Sequence, residues 1–239
     1  MTVSLRIHPL GDRALLCETG GAASLDTQRR IWALARQAGG WTDVAEAVPG
    51  VNNLLLVFDA LSADADALRA RVDRAWSGLR VTGAEPGPLI EIPVVYGGDG
   101  GPDLDDVARH ARMSPEEVIE RHAGAEYTVF CMGFQPGFAY LGGLDPRLAT
   151  PRRATPRTDV PAGSVAIGGS QTTIYPARSP GGWNLIGRSD AVLFAPDREP
   201  PSLMTAGYRV RFVPVDSLGS PAGADGPDGS DGPDSRSAP

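Results

Sequence analysis

Residues 133–146, GFQPGFAYLGGLDP, contain four glycines, two prolines and three aromatic residues in fourteen positions. Glycine suits positions that need a positive φ or the close approach of another group, whereas proline fixes φ and lacks a backbone donor. The stretch therefore predicts a rigid loop in place of a helix or a long strand. Taken alone, it leaves open whether Phe134, Phe138 and Tyr140 fill the core or line a binding site.

Short β runs lie on both sides of this loop, separated by segments rich in Gly and Pro. Many short strands with such turns predict a closed or nearly closed β-barrel. The predicted strands are residues 127–132, 164–167, 172–175, 191–194 and 208–213. Before them come a strand at 89–96 and two short helices, the first capped by Asp103 and the second opened by the capping box that starts at Ser114.

The first 80 residues have a different pattern. A strand at 13–18 precedes a helix that starts at Leu25 with Ser24 as its N-cap, and strands follow near 44–48 and 53–58. A second helix is predicted from one apolar stripe: Leu61, Ala65, Leu68, Val72 and Ala75. The β-α-β-β-α order with a closing strand predicts a small ferredoxin-like α+β domain.

Residues 82–88, TGAEPGP, form the best boundary between these segments because they are polar and rich in Pro and Gly. We therefore predict a small α+β domain at 1–85 and a β-barrel domain at 86–216. Residues 217–239 contain one large apolar residue, Leu218, and repeat the unit D-G-P-D. Such a segment buries too little apolar surface to offset its ordering entropy, which predicts a disordered acidic tail.

Composition excludes several functions. The net charge of −7 and the pI near 5.0 argue against a nucleic-acid partner. All 22 basic residues are arginine, so neither a Schiff-base lysine nor a Walker A lysine exists. The two cysteines have no metal-ligand spacing, and no secretory or membrane-spanning segment is evident, so we expect a cytoplasmic protein without a membrane partner.

Positive charge is concentrated in residues 133–190, which contain six arginines and three aspartates. This net charge of +3 within a chain of −7 makes the segment a candidate anion site, because guanidinium groups bind carboxylates and phosphates bidentately. Within it, residues 150–157 (TPRRATPR) repeat the unit T-P-R in a segment that proline holds extended. A solvated basic loop explains this octamer about as well as a binding site does.

Three further loops offer polar groups beside predicted strands. Residues 179–184, SPGGWN, fit a type II turn in which Gly182 permits close approach, Trp183 forms a wall, and Asn184 supplies donors and an acceptor. Residues 161–164 and 168–171 add hydroxyl, amide and backbone N–H groups. Four such loops in one barrel-like domain predict a built site.

The usual catalytic devices are missing from these loops. The three histidines, His8, His110 and His122, lie elsewhere, and for His110 and His122 we expect a surface or capping role. Cys131 is interpreted as a small core residue, and no metal-ligand cluster is evident. Any chemistry would depend on positioning and on hydrogen-bond electrostatics, in a site that a second chain can share.

The motifs together resemble the family of the B subunit of prokaryotic 5-oxoprolinases, also called the allophanate hydrolase subunit 1 or KipI family. The resemblance extends from about residue 6 to residue 215. It rests on these motifs: Gly11-Asp12-Arg13-Ala14-Leu15-Leu16; Tyr96-Gly97-Gly98 with Gly100-Gly101-Pro102-Asp103-Leu104; Gly133-Phe134 with Pro136-Gly137-Phe138; Tyr140-Leu141-Gly142-Gly143-Leu144; Pro151-Arg152 with Pro156-Arg157; Val160-Pro161-Ala162-Gly163-Ser164-Val165; and Ser179-Pro180-Gly181-Gly182-Trp183.

The resemblance implies a cyclophilin-like β-barrel behind the small α+β domain. It also implies pairing with a second barrel protein, the C subunit, and cooperation with the A subunit to open 5-oxo-L-proline to L-glutamate with ATP as co-substrate. The ATP site is then shared with a partner protein or located on one. Two other members of this group of folds define alternatives: a biotin-dependent carboxyltransferase component of the urea carboxylase type, and a KipI-like inhibitor of a histidine kinase.

The resemblance leads to a set of expected site residues. Arg153 and Arg157 are expected to bind a carboxylate or phosphates, and together with Gln171 they form the expected catalytic group. The expected substrate-binding residues are Gln135, Gly137, Tyr140, Ser164, Tyr175, Gly181, Gly182, Trp183 and Asn184. No metal is expected.

Overall fold

The computed structural model describes residues 3–81 and 86–219. The N-terminal part contains the strands β1 (Leu5–Pro9), β2 (Ala14–Thr19), β3 (Glu46–Pro49) and β4 (Asn53–Val57), and the helices α1 (Leu25–Ala38) and α2 (Ala65–Gly78). The C-terminal part contains β5 (Leu89–Tyr96), α3 (Leu104–Ala111), α4 (Pro115–Ala123), β6 (Tyr127–Met132), β7 (Ala139–Gly142), β8 (Arg157–Val160), β9 (Ser164–Gly168), β10 (Gln171–Ile174), β11 (Ser179–Gly181), β12 (Asn184–Arg188) and β13 (Arg209–Pro214).

The N-terminal strands form one antiparallel sheet in the order β1-β2-β4-β3. The run from β2 to α2 has the predicted β-α-β-β-α order, but within the described residues no closing strand of this sheet follows α2. Its edge is occupied by β1, which forms a hairpin with β2 in the register Leu5 to Thr19. The fourth strand thus comes from the N-terminus, so the ferredoxin-like topology is not reproduced as a whole.

The two helices of this part follow their capping residues. Ser24 accepts a hydrogen bond from the Thr27 backbone N–H and begins α1 as predicted, and Asp64 caps α2. Leu61 precedes that cap and is 97% exposed, so its place in the predicted apolar stripe was wrong. Leu68 and Val72 of the same stripe are buried in the N-terminal core.

The barrel is closed by seven strands in the order β10-β7-β6-β13-β5-β12-β9, with β9 paired to β10. Predicted strands correspond to β5, β6, β9, β10 and β13. Sequence reasoning missed β7, β8, β11 and β12, which are short and rich in glycine or polar residues. Residues 191–194 were wrongly predicted as a strand, because only Phe194 makes an isolated bridge, with Ser202.

One polar cluster lies inside the barrel core. His122 is fully buried, with Nδ1 2.7 Å from Tyr96 Oη and Nε2 2.8 Å from Thr172 Oγ1, so the expected surface or capping role was wrong. Its ring stacks on Phe212 at a centroid distance of 4.6 Å. Burial lowers the pKa of His122 to about 3 from an ordinary 6.5. Cys131 is buried as expected, which raises the pKa of its thiol to about 11.

The two short helices, α3 and α4, differ in how they begin. The capping box of α4 is confirmed: Ser114 Oγ accepts from the Glu117 N–H, and the Glu117 carboxylate accepts from the Ser114 N–H. Asp103 stands at the N-cap position of α3, but its side chain makes no capping hydrogen bond. That prediction was wrong because the carboxylate is directed to partners elsewhere in the barrel.

Two side-chain hydrogen bonds from the N-terminal part converge on one carbonyl group of the barrel, beside an edge-to-face contact between the Trp32 and Phe130 rings. Gln28 Nε2 and Trp32 Nε1, both on α1, donate to the Phe130 carbonyl oxygen of β6 at 3.1 and 2.8 Å. The predicted boundary at 82–88 falls between separate hydrophobic cores, although residues 82–85 lie outside the described residues. Of the predicted tail, residues 220–239 also lie outside them.

No helix within residues 3–81 and 86–219 combines the length and the apolar character needed to cross a membrane.

Candidate functional site

The candidate site lies on the outer face of the barrel wall. Along β9, Val165 and Ile167 belong to the main barrel core, whereas Ala166 points to the opposite face and joins a second, smaller core. This second core contains Phe138, Val160, Ala166, Tyr175, Trp183 and Leu185, with Tyr140 packed against it. Residues from the loops quoted at the outset and from 175–185 are therefore brought together, as the sequence predicted for the barrel loops.

Four aromatic rings of this small core hold one another in fixed orientations. Phe138 lies 5.0 Å from Tyr140, 5.4 Å from Tyr175 and 6.1 Å from Trp183, measured between ring centroids. These are distances at which edge-to-face and tilted pairs are favourable. The guanidinium of Arg152 lies over Trp183, 5.6 Å from the ring centroid. Apart from Tyr140 these rings are almost fully buried, so they form an aromatic wall behind the face, with a cation at its edge.

Two glycines permit this packing. A Cβ at Gly168 would overlap the Trp183 indole, and a Cβ at Gly181 would overlap Tyr175 Oη in the same way. Gly181 lies in strand β11 and does not have a positive φ, so the predicted type II turn was wrong. The expected role of Gly181 in substrate binding stays a prediction; what the structure shows is that the Tyr175 hydroxyl lies close to its backbone.

The loop before β7 contains two residues with positive φ and is linked to neighbouring segments; its predicted rigidity stays a prediction. Phe134 has φ +64°, which is uncommon for a bulky residue, and it is 62% exposed, so it does not fill the core. Gly137 has φ +82° and packs tightly against Leu193 and Phe194. Gln135 Nε2 donates to the Ala177 carbonyl at 3.3 Å, which joins this loop to the segment after β10.

A buried carboxylate organises the predicted arginines. Asp103 is 2% exposed, and its Oδ1 accepts from Arg153 Nη1 and from Arg157 Nη2, each at 2.8 Å. Its Oδ2 accepts from Arg157 Nη1 at 2.8 Å and from the Leu185 backbone N–H at 2.7 Å. The two guanidinium groups that were predicted to face an anion therefore already share an internal one, and both remain partly exposed.

The ionisation of this group follows from its surroundings. Burial by itself raises the pKa of Asp103, but the hydrogen bonds from Arg157 and Leu185 and the charges of Arg157 and Arg153 outweigh it. The pKa of Asp103 is lowered as a result, and the carboxylate is ionised at neutral pH. Burial raises the pKa values of Tyr140 and Tyr175, so both phenols are neutral donors.

Backbone contacts fix the arginine-bearing segment along the barrel. The Arg153 N–H donates to the Gly182 carbonyl at 2.7 Å, and Thr150 exchanges two hydrogen bonds with Gly169. Asn184 Nδ2 donates to the carbonyls of Pro151 and Ile167 at 2.9 and 3.2 Å. The amide of Asn184, expected to bind substrate, is thus used to hold this segment in place.

Ser164 is likewise used internally. Its hydroxyl is buried and donates to the Pro161 carbonyl at 2.8 Å. The expected role of Ser164 in substrate binding stays a prediction, and a substrate would have to compete with the Pro161 carbonyl for this hydroxyl.

Several donors in the site lack a partner. Among the described residues, six buried side-chain atoms have no hydrogen-bond partner, and three of them are Arg153 Nε, Gln171 Nε2 and Ser179 Oγ. Leaving a buried donor unpaired costs about 1–3 kcal/mol. These atoms have no exposed surface, so a polar ligand would reach them only if the side chains that cover them moved.

Sequence reasoning missed Asp103 as a member of this site. It lies 50 residues before Arg153 in the chain, and its position before a helix favoured a capping role. The only signal was its place in the Gly-Gly-Pro-Asp-Leu motif, which does not identify a partner.

Two clefts lie away from this face. One of about 660 Å³ runs along β1 and α2, and one of about 680 Å³ lies between α1 and the barrel near Tyr208. Neither is lined by the predicted site residues. Within the described parts of the chain, no three His, Cys, Asp or Glu side chains are grouped so that they could hold a metal ion.

Residues 5–204 match the carboxyltransferase domain family, subdomains C and D. The chain is therefore a protein of the carboxyltransferase-domain class. A curated relative from Haemophilus influenzae, the B subunit of 5-oxoprolinase, is 48% identical over 209 residues, 87% of this chain and 97% of the relative. The 5-oxoprolinase B subunit of Escherichia coli O157:H7 is 47% identical over 212 residues, 87% of this chain and 95% of the relative. The chain therefore belongs to the family of 5-oxoprolinase B subunits.

Solved structures agree with the fold. The urea amidolyase of K. lactis matches with a TM-score of 0.78 and 23% identity over 90% of this chain, which is 15% of the amidolyase. This likeness confirms a mixed helix and strand fold with a barrel, similar to carboxyltransferase domains.

Proposed function

We propose that the protein is one component of a heteromeric, ATP-dependent 5-oxoprolinase that opens 5-oxo-L-proline to L-glutamate in the cytoplasm. The observation that supports this most strongly is the name that the two bacterial relatives share at 47–48% identity over nearly their whole length. The outer barrel face supports it chemically, because it combines a cationic group with an aromatic wall behind it.

The substrate has three features that suit this face. Its carboxylate would pair with the guanidinium groups of Arg153 and Arg157, and its five-membered ring would lie against Trp183. Its lactam carbonyl and N–H would contact the amide of Gln171 and the hydroxyl of Tyr140. Gln135, Tyr175 and the backbone of Gly181 and Gly182 would complete the walls.

Ring opening requires the loss of amide resonance, which ATP would drive. Transfer of the γ-phosphoryl group to the lactam oxygen releases ADP and makes the carbonyl carbon electrophilic. Water adds to that carbon, the C–N bond breaks, and the nitrogen takes up a proton, which leaves an acyl phosphate. A second water releases phosphate and glutamate. The chain's own arginines would stabilise negative charge in these steps.

The ATP site would be shared with, or located on, a partner protein. This chain contains no lysine, so it has no Walker A lysine to contact the phosphates of ATP. We propose the C subunit, which forms a second and paired barrel, and the A subunit as the partners.

Reconstitution tests this proposal. The full chain is combined with the candidate A and C subunits, each is omitted in turn, and glutamate and ADP are measured with 5-oxoproline and ATP. Turnover that needs all three subunits supports the proposal. A complex that forms but produces no glutamate contradicts it, and failure to form any complex favours the kinase-regulator alternative.

The second candidate is carboxyl transfer, which the family description favours. It requires a biotin carrier on another protein, because a chain without lysine cannot be biotinylated. The same complex, incubated with a carboxylated biotin and urea-like amides, would then consume the carboxyl group without ATP.

A further inference from the structure

The hydrogen-bond acceptor positions of the Asp103 carboxylate are all occupied by groups of the same chain. Both of its oxygens accept two hydrogen bonds each, three from guanidinium groups and one from the Leu185 N–H. The backbone is tied at the same place, because the Asp103 N–H donates to the Leu185 carbonyl at 2.9 Å. Asp103 therefore has no remaining acceptor for a substrate, and any effect it has on binding must pass through the arginines.

This arrangement sets the charge of the site. Asp103 lowers the charge of this pair of arginines from +2 to +1, and Arg152, whose guanidinium lies over Trp183, adds one more positive charge at the edge of the same face. Lowering the positive charge by one weakens the binding of a di- or triphosphate, which carries three or four negative charges, more than the binding of a single carboxylate.

The contacts with Asp103 also fix the orientation of the two guanidinium groups. Arg157 uses one hydrogen on each Nη atom for Asp103, and Arg153 uses Nη1, so both planar guanidinium groups are held by the same carboxylate. Arg153 Nε remains buried without a partner. The two guanidinium groups, on side chains that are 33% and 24% exposed, are therefore fixed in direction before a ligand arrives, and this lowers the entropic cost of binding a small anion.

We propose that Asp103 is a positioning residue that makes this face select a single carboxylate, such as that of 5-oxoproline, over a polyphosphate. The proposal rests on the function proposed above, and it places the phosphates of ATP away from Arg153 and Arg157. Asp103 acts through the two arginines and does not touch the substrate.

The decisive variant is Asp103→Asn, which keeps the size of the side chain and removes its charge. In calorimetric titrations of the full chain with inorganic pyrophosphate, we expect D103N to bind about tenfold more tightly than the unaltered protein, since a tenfold change corresponds to about 1.4 kcal/mol. In the reconstituted complex, we expect the KM for 5-oxoproline to rise and pyrophosphate to become a stronger competitive inhibitor. A purely structural role would weaken both ligands together.

The matched control is Asp26→Asn on α1, where Asp26 is 95% exposed and paired with Arg29; it changes the net charge equally, away from the Asp103 contacts. D26N is expected to keep the selectivity of the unaltered protein. An equal gain in pyrophosphate affinity in both variants would overturn the proposal, since it would reflect overall charge. An unchanged ratio of pyrophosphate to 5-oxoproline binding in D103N would overturn it as well.

A second variant covers the case in which D103N fails to fold. Asp103→Glu keeps the charge and moves the carboxylate, so we expect a higher KM for 5-oxoproline with unaltered pyrophosphate affinity; no change in either value contradicts the proposal. The titrations need no turnover, so they distinguish a failure of this inference from a failure of the 5-oxoprolinase assignment, which would appear as an inactive complex of unaltered proteins.

Discussion

The Nε2 atom of His122 lies 2.8 Å from Oγ1 of Thr172 in the interior of the barrel, and its other ring nitrogen contacts Tyr96. Tyr96 ends β5 and Thr172 lies in β10, and these two strands are three places apart around the seven-stranded ring. One neutral imidazole thus joins opposite walls of the barrel.

This contact predicts a loss of stability in mild acid. The folded protein resists protonation of His122 down to a pKa of about 3, whereas the unfolded chain takes up the proton near 6.5. The contribution of His122 is fully present above pH 6.5 and is lost as the pH falls toward 3, at about 1.4 kcal/mol per pH unit. Urea unfolding at pH 7 and pH 5 should show a smaller pH effect for His122→Gln than for the exposed control His110→Gln. Equal pH effects in the two variants would contradict this account.

The contact between Gly168 and Trp183 predicts a steric effect. A methyl group at 168 would overlap the indole ring, so Gly168→Ala must displace Trp183 from the aromatic wall. We expect a loss of about 1–3 kcal/mol in unfolding free energy and a raised KM for 5-oxoproline. Gly20→Ala is the control, because a methyl group there meets nothing within 4 Å. A G168A protein as stable as G20A would show that the indole can move freely.

Two leucines of the predicted apolar stripe should differ sharply. Leu68 is fully buried, whereas Leu61 is 97% exposed. Leu68→Ala is expected to lower the unfolding free energy by about 2–5 kcal/mol, and Leu61→Ala to change it by less than about 0.5 kcal/mol. Denaturant unfolding measures both. A destabilising L61A would mean that Leu61 packs against a surface that the fold does not show.

Arg157 tests the substrate site directly. Lysine in its place keeps the charge but cannot make two parallel hydrogen bonds to Asp103. We expect Arg157→Lys to lower kcat/KM for 5-oxoproline on the order of tenfold or more in the reconstituted complex. Arg178→Lys is the control, since Arg178 is 73% exposed and paired on the surface. Full activity in an R157K complex that assembles normally would remove Arg157 from the site.

Patterns of neighbouring residues predicted the fold well where the structure is local. The caps at Ser24 and Ser114 and the strand at 89–96 depend on residues close in sequence, and these features are confirmed. The strands β7 and β12 were missed because their pairing is decided by barrel closure, which supplies partners to short segments containing glycine. The edge strand β1 was missed for a similar reason, since it pairs through a hairpin with β2.

The candidate site, like the fold, could be predicted from the sequence only where it depends on residues close together in the chain. The barrel brings Tyr140, Tyr175 and Trp183 together, as the loop composition suggested. The partner of Arg153 and Arg157 was not predictable, because a carboxylate 50 residues away becomes a neighbour only when α3 packs against β12. Charge counting identified the cationic segment but did not reveal that one buried aspartate reduces its net charge.

Gln28 and Trp32 of α1 both donate to the Phe130 carbonyl, and these hydrogen bonds make the two parts of the chain depend on each other. Phe130 lies three residues before the glycine-rich loop that starts at Gly133. The N-terminal part therefore stabilises the chain just before a loop that belongs to the barrel. If the two halves were encoded separately, that carbonyl would lose both donors, and the barrel would depend on reassociation to recover them. The two halves are therefore better regarded as one structural unit than as interchangeable parts.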